Sequence, residues 1–150
     1  PLVQEKIEAL LKADDPEMLR SALFALGEMK MNHKKTVRSY LRHEDKEIRR
    51  EAAFALTKMV DSSGASCILH HFLEVSDGEF NALRRFIRRM PDSVKKDFDA
   101  LAMDEISRRV DSLRDNPENA AALRRLYTLL DEHEELSELE EAFAPALETA

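Results

Sequence analysis

The sequence predicts an all-α protein built as a solenoid of antiparallel helix pairs, and three observations support this fold class. The chain repeats itself with a period of 30 residues, and its apolar residues recur at helical spacing. Its composition is poor in turn-forming and sheet-forming residues, with three glycines, five prolines and 6% aromatic residues. The 150 residues suffice to bury a core, so we expect a single domain over residues 1–150.

The repeat is clearest between residues 11–29 and 41–59, which are identical at nine of 19 positions without a gap. Asp15 and Asp45 stand where a helix N-cap belongs, because a carboxylate there accepts hydrogen bonds from unpaired backbone N–H groups. Pro16 follows at the first helical position, where its missing N–H costs nothing. Each unit is therefore predicted to open with a capped helix.

Behind each cap, apolar residues recur at spacings of three and four, the pattern of one buried helical face. The stripe consists of Met18, Ala22, Ala25, Leu26 and Met29, repeated as Ile48, Ala52, Ala55, Leu56 and Met59. A second helix follows in each unit, and its positions Ile7, Val37 and Cys67 also fall 30 residues apart. Each unit is thus predicted to be a helical hairpin, with clear repeats over residues 11–75.

The second unit resembles the 30-residue HEAT-like repeat of phycobilisome-lyase-related proteins. The residues that carry the resemblance are Asp45, Ile48, Arg49, Ala52, Ala53, Ala55, Leu56 and Met59. Residues 15–29 match less well, since Leu19 occupies the position of Arg49. The resemblance implies a right-handed stack of helix pairs whose second helices line a concave surface.

The repeat becomes irregular in the second half of the chain, and we expect divergent repeats over residues 77–130. Apolar spacing predicts a helix over residues 79–90 and a further helix from Ser93. The apolar stripe of that further helix shifts around the axis, so the helix either breaks near Asp104 or buries two faces. A last helix of this region is expected to start with a cap at Asn116.

The net negative charge of the chain comes from residues 131–150. The formal net charge is −7, yet residues 131–150 contain eight acidic residues and no Lys or Arg, leaving 22 acidic against 23 basic residues before them. We predict that residues 131–150 form an acidic helix with an apolar face, consisting of Leu136, Leu139, Ala142, Phe143 and Leu147. Two roles stay open: a cap on the end of the stack, or a mask over basic residues of the body.

Several features bound the setting of the protein. No apolar run approaches the roughly 20 residues needed to cross a bilayer, so we expect no membrane span. A single cysteine, Cys67, cannot form an internal disulfide, which favours a reducing compartment and hence the cytoplasm. Residues 2–12 align with the second helix of a unit whose first helix is missing, so we expect either a capping helix or, in preference, a cut through a longer array.

Motifs of catalysis are missing from the sequence, which has no glycine-rich phosphate loop, nucleophile elbow or cysteine-pair metal motif. The closest approach to a metal site is Cys67, His70, His71 and Glu74, which project from one side of a helix. Structural zinc usually takes ligands from two separated segments. We therefore interpret this set as a core thiol beside partly exposed histidines.

One HEAT-like enzyme family, the deoxyhypusine hydroxylases, resembles this repeat and binds two irons through His-Glu pairs in four helices. The pairs would be expected at Arg50-Glu51 and Arg20-Ser21, where His is absent. The iron chemistry implied by that resemblance is therefore not carried over. We predict no enzymatic activity and no cofactor.

Basic residues give the functional lead. The predicted partner-binding residues are Lys34, Lys35, Arg38, Arg42, Arg84 and Arg88. Lys34, Arg38 and Arg42 are spaced four apart along a second helix, with Lys35 beside them, and the resemblance would turn this helix toward the concave side. A solvated helical face is the plain alternative. Because guanidinium groups pair with carboxylates, we predict a protein-interaction scaffold whose partner carries an acidic segment.

A second hypothesis belongs to a different class. The resemblance alone implies an accessory or chaperone-like subunit of a lyase that acts on a protein-bound cofactor. We do not expect nucleic acid as the partner, because the total charge is acidic and the chain has no Trp to stack on bases. The sequence leaves the partner's identity and the oligomeric state open.

Overall fold

A computed structural model of the protein describes residues 2–30, 32–113 and 115–130. Within this part there are helices and two short 3₁₀ turns, and no strand: α1 (Leu2–Leu11), α2 (Pro16–Glu28), α3 (Lys34–Ser39), a turn (Tyr40–Arg42), α4 (Lys46–Lys58), a turn (Ser62–Gly64), α5 (Ala65–Glu74), α6 (Asp77–Arg88), α7 (Asp92–Asp111) and α8 (Asn119–Leu130). None of these helices combines the length and apolar character needed to cross a membrane. The acidic helix expected over residues 131–150 lies outside the described residues.

The helices are arranged as successive pairs. By the sequence repeat, α2 and α3 belong to the first unit, and α4 and α5 belong to the second. The first helices α2 and α4 pack side by side, while α1 packs on α2, and α3 and α5 pack on α4. Helix α5 then contacts α7, which contacts α8. The predicted fold class, an all-α solenoid of helix pairs, is confirmed.

Both predicted helix caps form in the structure. Asp15 accepts a hydrogen bond from the backbone N–H of Glu17 at 2.9 Å, and Asp45 accepts one from Glu47 at 2.8 Å. Pro16 is the first residue of α2, as predicted. Since a lost cap typically costs about 1 kcal/mol, these two carboxylates contribute to setting where each unit begins.

The core consists of two contiguous clusters that share helix α4. One cluster joins α1 to α4 and includes the fully buried Leu26 and Leu56. The other runs from α4 to α8 and includes the buried phenylalanines Phe72 and Phe98. Leu41 packs against both clusters, so the two cores meet where the first unit ends and the second begins.

The apolar stripe predicted for α2 is buried only in part. Ala22 and Leu26 are buried, but Met18 and Met29 each remain 48% exposed. Their partners one repeat later, Ile48 and Met59, are buried because α4 lies deeper in the stack. Cys67, which was placed in a core column, is only partly buried.

Helix α7 is one continuous helix of 20 residues, which rules out the break near Asp104 that was one of the two alternatives. Its buried residues include Phe98, Ala102 and Ile106, spaced four apart. The small side chain of Ala102 thus joins the two apolar segments into one stripe. The next helix, α8, begins at Asn119, three residues after the expected cap.

One side chain of α8 reaches back to the end of α5. The guanidinium of Arg125 donates hydrogen bonds to the backbone carbonyls of Val75 at 2.7 Å and Phe72 at 3.2 Å. It also lies over the ring of Phe80, at 5.3 Å from its centroid. The last carbonyls of a helix lack N–H donors within the helix, so the donors of Arg125 satisfy those at the end of α5.

Candidate partner-binding site

The predicted basic stripe does not run along one continuous α-helix. Helix α3 gives way to the 3₁₀ turn Tyr40–Arg42. A 3₁₀ turn advances about 120° per residue where an α-helix advances about 100°, so Arg42 is rotated away from the line of Lys34 and Arg38. Lys34 is partly buried and Lys35 is exposed. The four residues therefore do not form a single strip of charge.

Arg38 is held by an ion pair between the two units. Its Nε donates a 3.0 Å hydrogen bond to Oδ2 of Asp61, and its Nη2 contacts the same oxygen. The Asp61 side chain is only 5% exposed, and its other oxygen accepts from the backbone N–H of Ser63 at 2.8 Å. Burial acts to raise the pKa of Asp61, but the hydrogen bonds from Arg38 and Ser63 outweigh burial and hold that pKa below its ordinary value.

A groove of about 740 Å³ opens between the 3₁₀ turn at the end of the first unit, the start of α4 and one side of α5. We call it the cationic groove, because its charged lining consists of Arg42, Lys46, Arg49, Arg50 and Glu74. Four cations thus face one carboxylate. A concave surface lined by charges of one sign concentrates the potential that attracts the opposite charge.

Two of the four cations are positioned by the protein itself. Nη1 of Arg49 donates to the backbone carbonyls of His43 at 2.7 Å and Glu44 at 3.0 Å. Arg50 pairs with Glu47 at 2.9 Å and lies 3.6 Å from a carboxylate oxygen of Glu74.

The other two cations of the groove are differently placed. Arg42 and Lys46 are exposed, and their side chains make no hydrogen bond or ion pair with any described residue. The groove therefore combines two arginines held in place with two cations available to a ligand.

Every wall of this groove comes from the 30-residue repeat units. Residues 3–85 of the chain match the family model for HEAT repeats. The chain belongs to the HEAT-repeat family. The match spans the whole cationic groove, so the groove is a feature of the HEAT array itself. No significant match was found among curated proteins or among solved structures.

The α5 wall of the groove contains Cys67, His70, His71 and Glu74, the set that came closest to a metal site in the sequence. Cys67 is partly buried, and burial raises the pKa of its thiol, although Arg49 and Arg50 act in the opposite direction. His71 is partly buried too, and burial together with Arg50 lowers its pKa. In the part of the chain that the structure describes, no group of three or more His, Cys, Asp or Glu side chains could hold a metal ion.

The second predicted basic segment lies elsewhere in the HEAT array. Arg84 of α6 donates to the backbone carbonyl of Thr128 in α8 at 3.3 Å, while its Nε is buried without a hydrogen-bond partner. Arg88 lies one turn further along α6 and is exposed. Neither residue lines the cationic groove. Arg84 therefore takes part in the packing between α6 and α8.

Of the six residues predicted from sequence, the structure brings only Arg42 to the cationic groove. Sequence reasoning missed Lys46, Arg49 and Arg50, which lie in the first turns of α4. A signal existed in the comparison of the two units: Arg49 stands where the first unit has the buried Leu19. A charged residue in one unit opposite a buried apolar residue in the other indicates that this position differs in exposure between the two units.

Proposed function

We propose that this HEAT-repeat protein is a protein-interaction module whose cationic groove binds an acidic segment of a partner protein. HEAT repeats generally mediate protein–protein interactions, which supports the class of function. The charge of the groove supports the chemistry of the partner. This proposal moves the binding surface from the basic stripe expected on α3 to the junction of the two clear repeats.

The observation that carries the proposal is the pair of uncommitted cations, Arg42 and Lys46, beside the two positioned arginines. A carboxylate entering the groove would meet Arg49, which backbone carbonyls hold in fixed orientation, so little side-chain freedom is lost on pairing. Single exposed ion pairs contribute only about 0.2–1 kcal/mol, so binding requires several pairs at once. An acidic segment of several residues supplies them, which a single acidic side chain does not.

Charge reversal tests the proposal with a control inside the same protein. The test variant is Arg42→Glu with Lys46→Glu, and the matched control is Lys34→Glu with Lys35→Glu, which changes the net charge equally outside the groove. The probe is a fluorescently labelled twelve-residue peptide of alternating Glu and Leu pairs, titrated by anisotropy. We expect the groove variant to bind about tenfold more weakly or worse, and the control to bind nearly as the wild type does.

Repeating the same titration at several salt concentrations gives a second test of the proposal. Exposed charge pairs weaken as the screening length falls to about 10 Å near 0.1 M salt, so the wild-type affinity should drop with added salt. The groove variant should show a flatter dependence, because it has lost the cations that salt screens. Equal losses in the two double variants would mean that only net charge matters, and the proposal would fail.

The lyase-accessory hypothesis and membership of the phycobilisome-lyase-type subfamily are carried by the sequence resemblance alone. No feature of the cationic groove favours them over simple peptide binding. Pigment that co-purifies with the protein, visible in its absorbance spectrum, would favour the lyase-associated role. For location, the partly buried thiol of Cys67 suits a reducing compartment, and the cytoplasm stays our proposal.

A further inference from the structure

Three phenylalanines occupy matching positions on the first helices of three successive units. Phe24 lies on α2, Phe54 on α4 and Phe86 on α6, at separations of 30 and 32 residues. Large apolar side chains at a repeated position normally serve the core. Phe24, however, is 51% exposed, and Phe54 and Phe86 are only partly buried. The row therefore lies at the surface of the array.

These rings line a groove of about 420 Å³, which we call the aromatic groove. Phe54 and Phe86 meet edge to face with their centroids 4.8 Å apart, and Phe54 also meets the ring of His71 edge to face at 6.1 Å. The buried side chains of Val75 and Leu83 are also part of its lining. The rings of Phe54 and Phe86 are thus oriented by their neighbours, so a ligand would meet a preformed surface there.

The aromatic groove is distinct from the cationic groove in lining and in charge. Of the residues named so far, His71 alone lines both. The lining of the aromatic groove includes the carboxylates Glu51 and Glu79 and one cation, Lys58. Lys58 is already engaged, because it pairs with Glu28 and its Nζ lies 4.5 Å from the centroid of the Phe24 ring.

The two carboxylates have no such partner. Within the described residues, neither Glu51 nor Glu79 makes an ion pair or a side-chain hydrogen bond. Glu51 is partly buried, and burial raises its pKa, although Lys58 and Arg20 act to lower it. A partly desolvated carboxylate beside aromatic rings gains from a cation that approaches it, and the ring faces attract the same cation.

We propose that the aromatic groove is a second docking surface, which takes a partner segment carrying large apolar side chains flanked by lysine or arginine. Its apolar residues cover the exposed face of Phe24 and the edges of Phe54 and Phe86. Its basic residues pair with Glu51 and Glu79. The chain's own acidic residues 131–150 do not meet this description, since they would place like charges against both carboxylates.

A peptide of stated chemistry tests this surface in the full chain. The probe is a fluorescently labelled twelve-residue peptide of alternating Leu and Lys pairs, titrated against the wild type and against the variant Phe24→Ser with Glu51→Lys. Phe24 is half exposed, so its replacement leaves the core intact, and thermal melts of each variant confirm folding. We expect the variant to bind about tenfold more weakly or worse, since a buried aromatic anchor is a typical hot spot.

The matched control reverses two charges of the cationic groove. Arg42→Glu with Lys46→Glu should leave the affinity for the Leu-Lys peptide undiminished, while Phe24→Ser with Glu51→Lys should leave the affinity for the Glu-Leu peptide undiminished. This pattern separates the two proposals, so that either one can fail alone. A single variant, Phe24→Ser, must also weaken the Leu-Lys peptide, which shows that charge by itself does not explain the binding.

Three experimental outcomes would each overturn the proposal, and the first two would indicate a different occupant of the aromatic groove. If Phe24→Ser abolished a dimer seen by sedimentation velocity, the groove would be a contact between two copies of the chain. If a labelled peptide of residues 131–150 bound the wild type and lost that affinity in Phe24→Ser, the groove would be a site for residues 131–150 of the chain. If the Leu-Lys peptide bound the double variant as well as the wild type, the groove would not be its site.

Discussion

Helices α2 and α4 are built from closely similar stretches of sequence, and their ends agree better than their surfaces. Both open with an aspartate cap, and both close with a residue in the left-handed conformation, Lys30 at φ 50° and Val60 at φ 61°. These two residues lie one repeat apart. The N-terminal ends share their aspartate caps, whereas residues 27–30 and 57–60 share only a methionine, so the two C-terminal ends form alike from different residues.

The surfaces of the two helices differ because their neighbours differ. Helix α4 packs against α2 on one flank and against α3 and α5, whereas the main contacts of α2 are with α4 and α1. Ile48 and Met59 are consequently buried, while Met18 and Met29 remain half exposed. An apolar residue that recurs at the same repeat position therefore indicates a helix face that the array can bury. The packing of adjacent helices decides whether it is buried.

The largest expected effect tests where the two helices agree. Leu26 and Leu56 are both fully buried one repeat apart, so Leu26→Ala and Leu56→Ala should each lower the free energy of unfolding by about 2–5 kcal/mol. Urea unfolding at neutral pH measures both changes. A loss below about 0.5 kcal/mol in either variant would contradict the burial of that leucine.

A middle-sized effect concerns the ion pair that joins the two units. Asp61→Asn removes the charge that pairs with Arg38, and because Arg38 is half exposed we expect a cost of about 1 kcal/mol at neutral pH. The pKa of Asp61 is lowered in the folded protein, so its contribution is present above its ordinary value near 3.8 and is lost as pH falls through the lowered pKa.

Urea unfolding of wild type and Asp61→Asn at pH 7 and pH 3 measures that dependence. The difference between the two proteins should shrink at pH 3. Asp104→Asn, at an exposed position of α7, serves as the control and should change stability little at either pH. A difference that stayed constant with pH would show that the asparagine acts through packing and not through charge.

The smallest expected effect tests where α2 and α4 disagree. Met18 is half exposed, so Met18→Ala should change the free energy of unfolding by no more than about 0.5 kcal/mol. Its repeat partner Ile48 is fully buried, and Ile48→Ala should cost about 2–5 kcal/mol. Similar losses at both positions would mean that Met18 is covered in solution, and the contrast between the helices would disappear.

The fold was largely predictable from sequence, because the signals that define it are local. The caps at Asp15 and Asp45 and the buried stripe around Leu26 and Leu56 each depend on residues within one helix. The single buried stripe of α7 was not foreseen, since Ala102 looks like a weak core residue until its neighbours are known. The helices could thus be predicted from the sequence, whereas the residues that form the buried face of α7 could not.

The candidate site was predictable only in part, because it depends on contacts between distant residues. The local sequence suggested that Arg38 is a free cation. Its partner Asp61 could not be recognised from the sequence, because it lies 23 residues further along the chain. Arg42 was placed on a regular helix, but the helix tightens before reaching it. Spacing rules assume one helix geometry and free side chains, and this region departs from both assumptions.

The contact of Arg125 with the end of α5 has a consequence for how the array unfolds. In a simple repeat array each unit touches only its sequence neighbours, so the ends can fray one unit at a time. Here α8 also contacts α5, across the intervening pair of α6 and α7. Opening α8 therefore uncovers the last carbonyls of α5, and we expect the amides of α5 to α8 to exchange with solvent as one cooperative block.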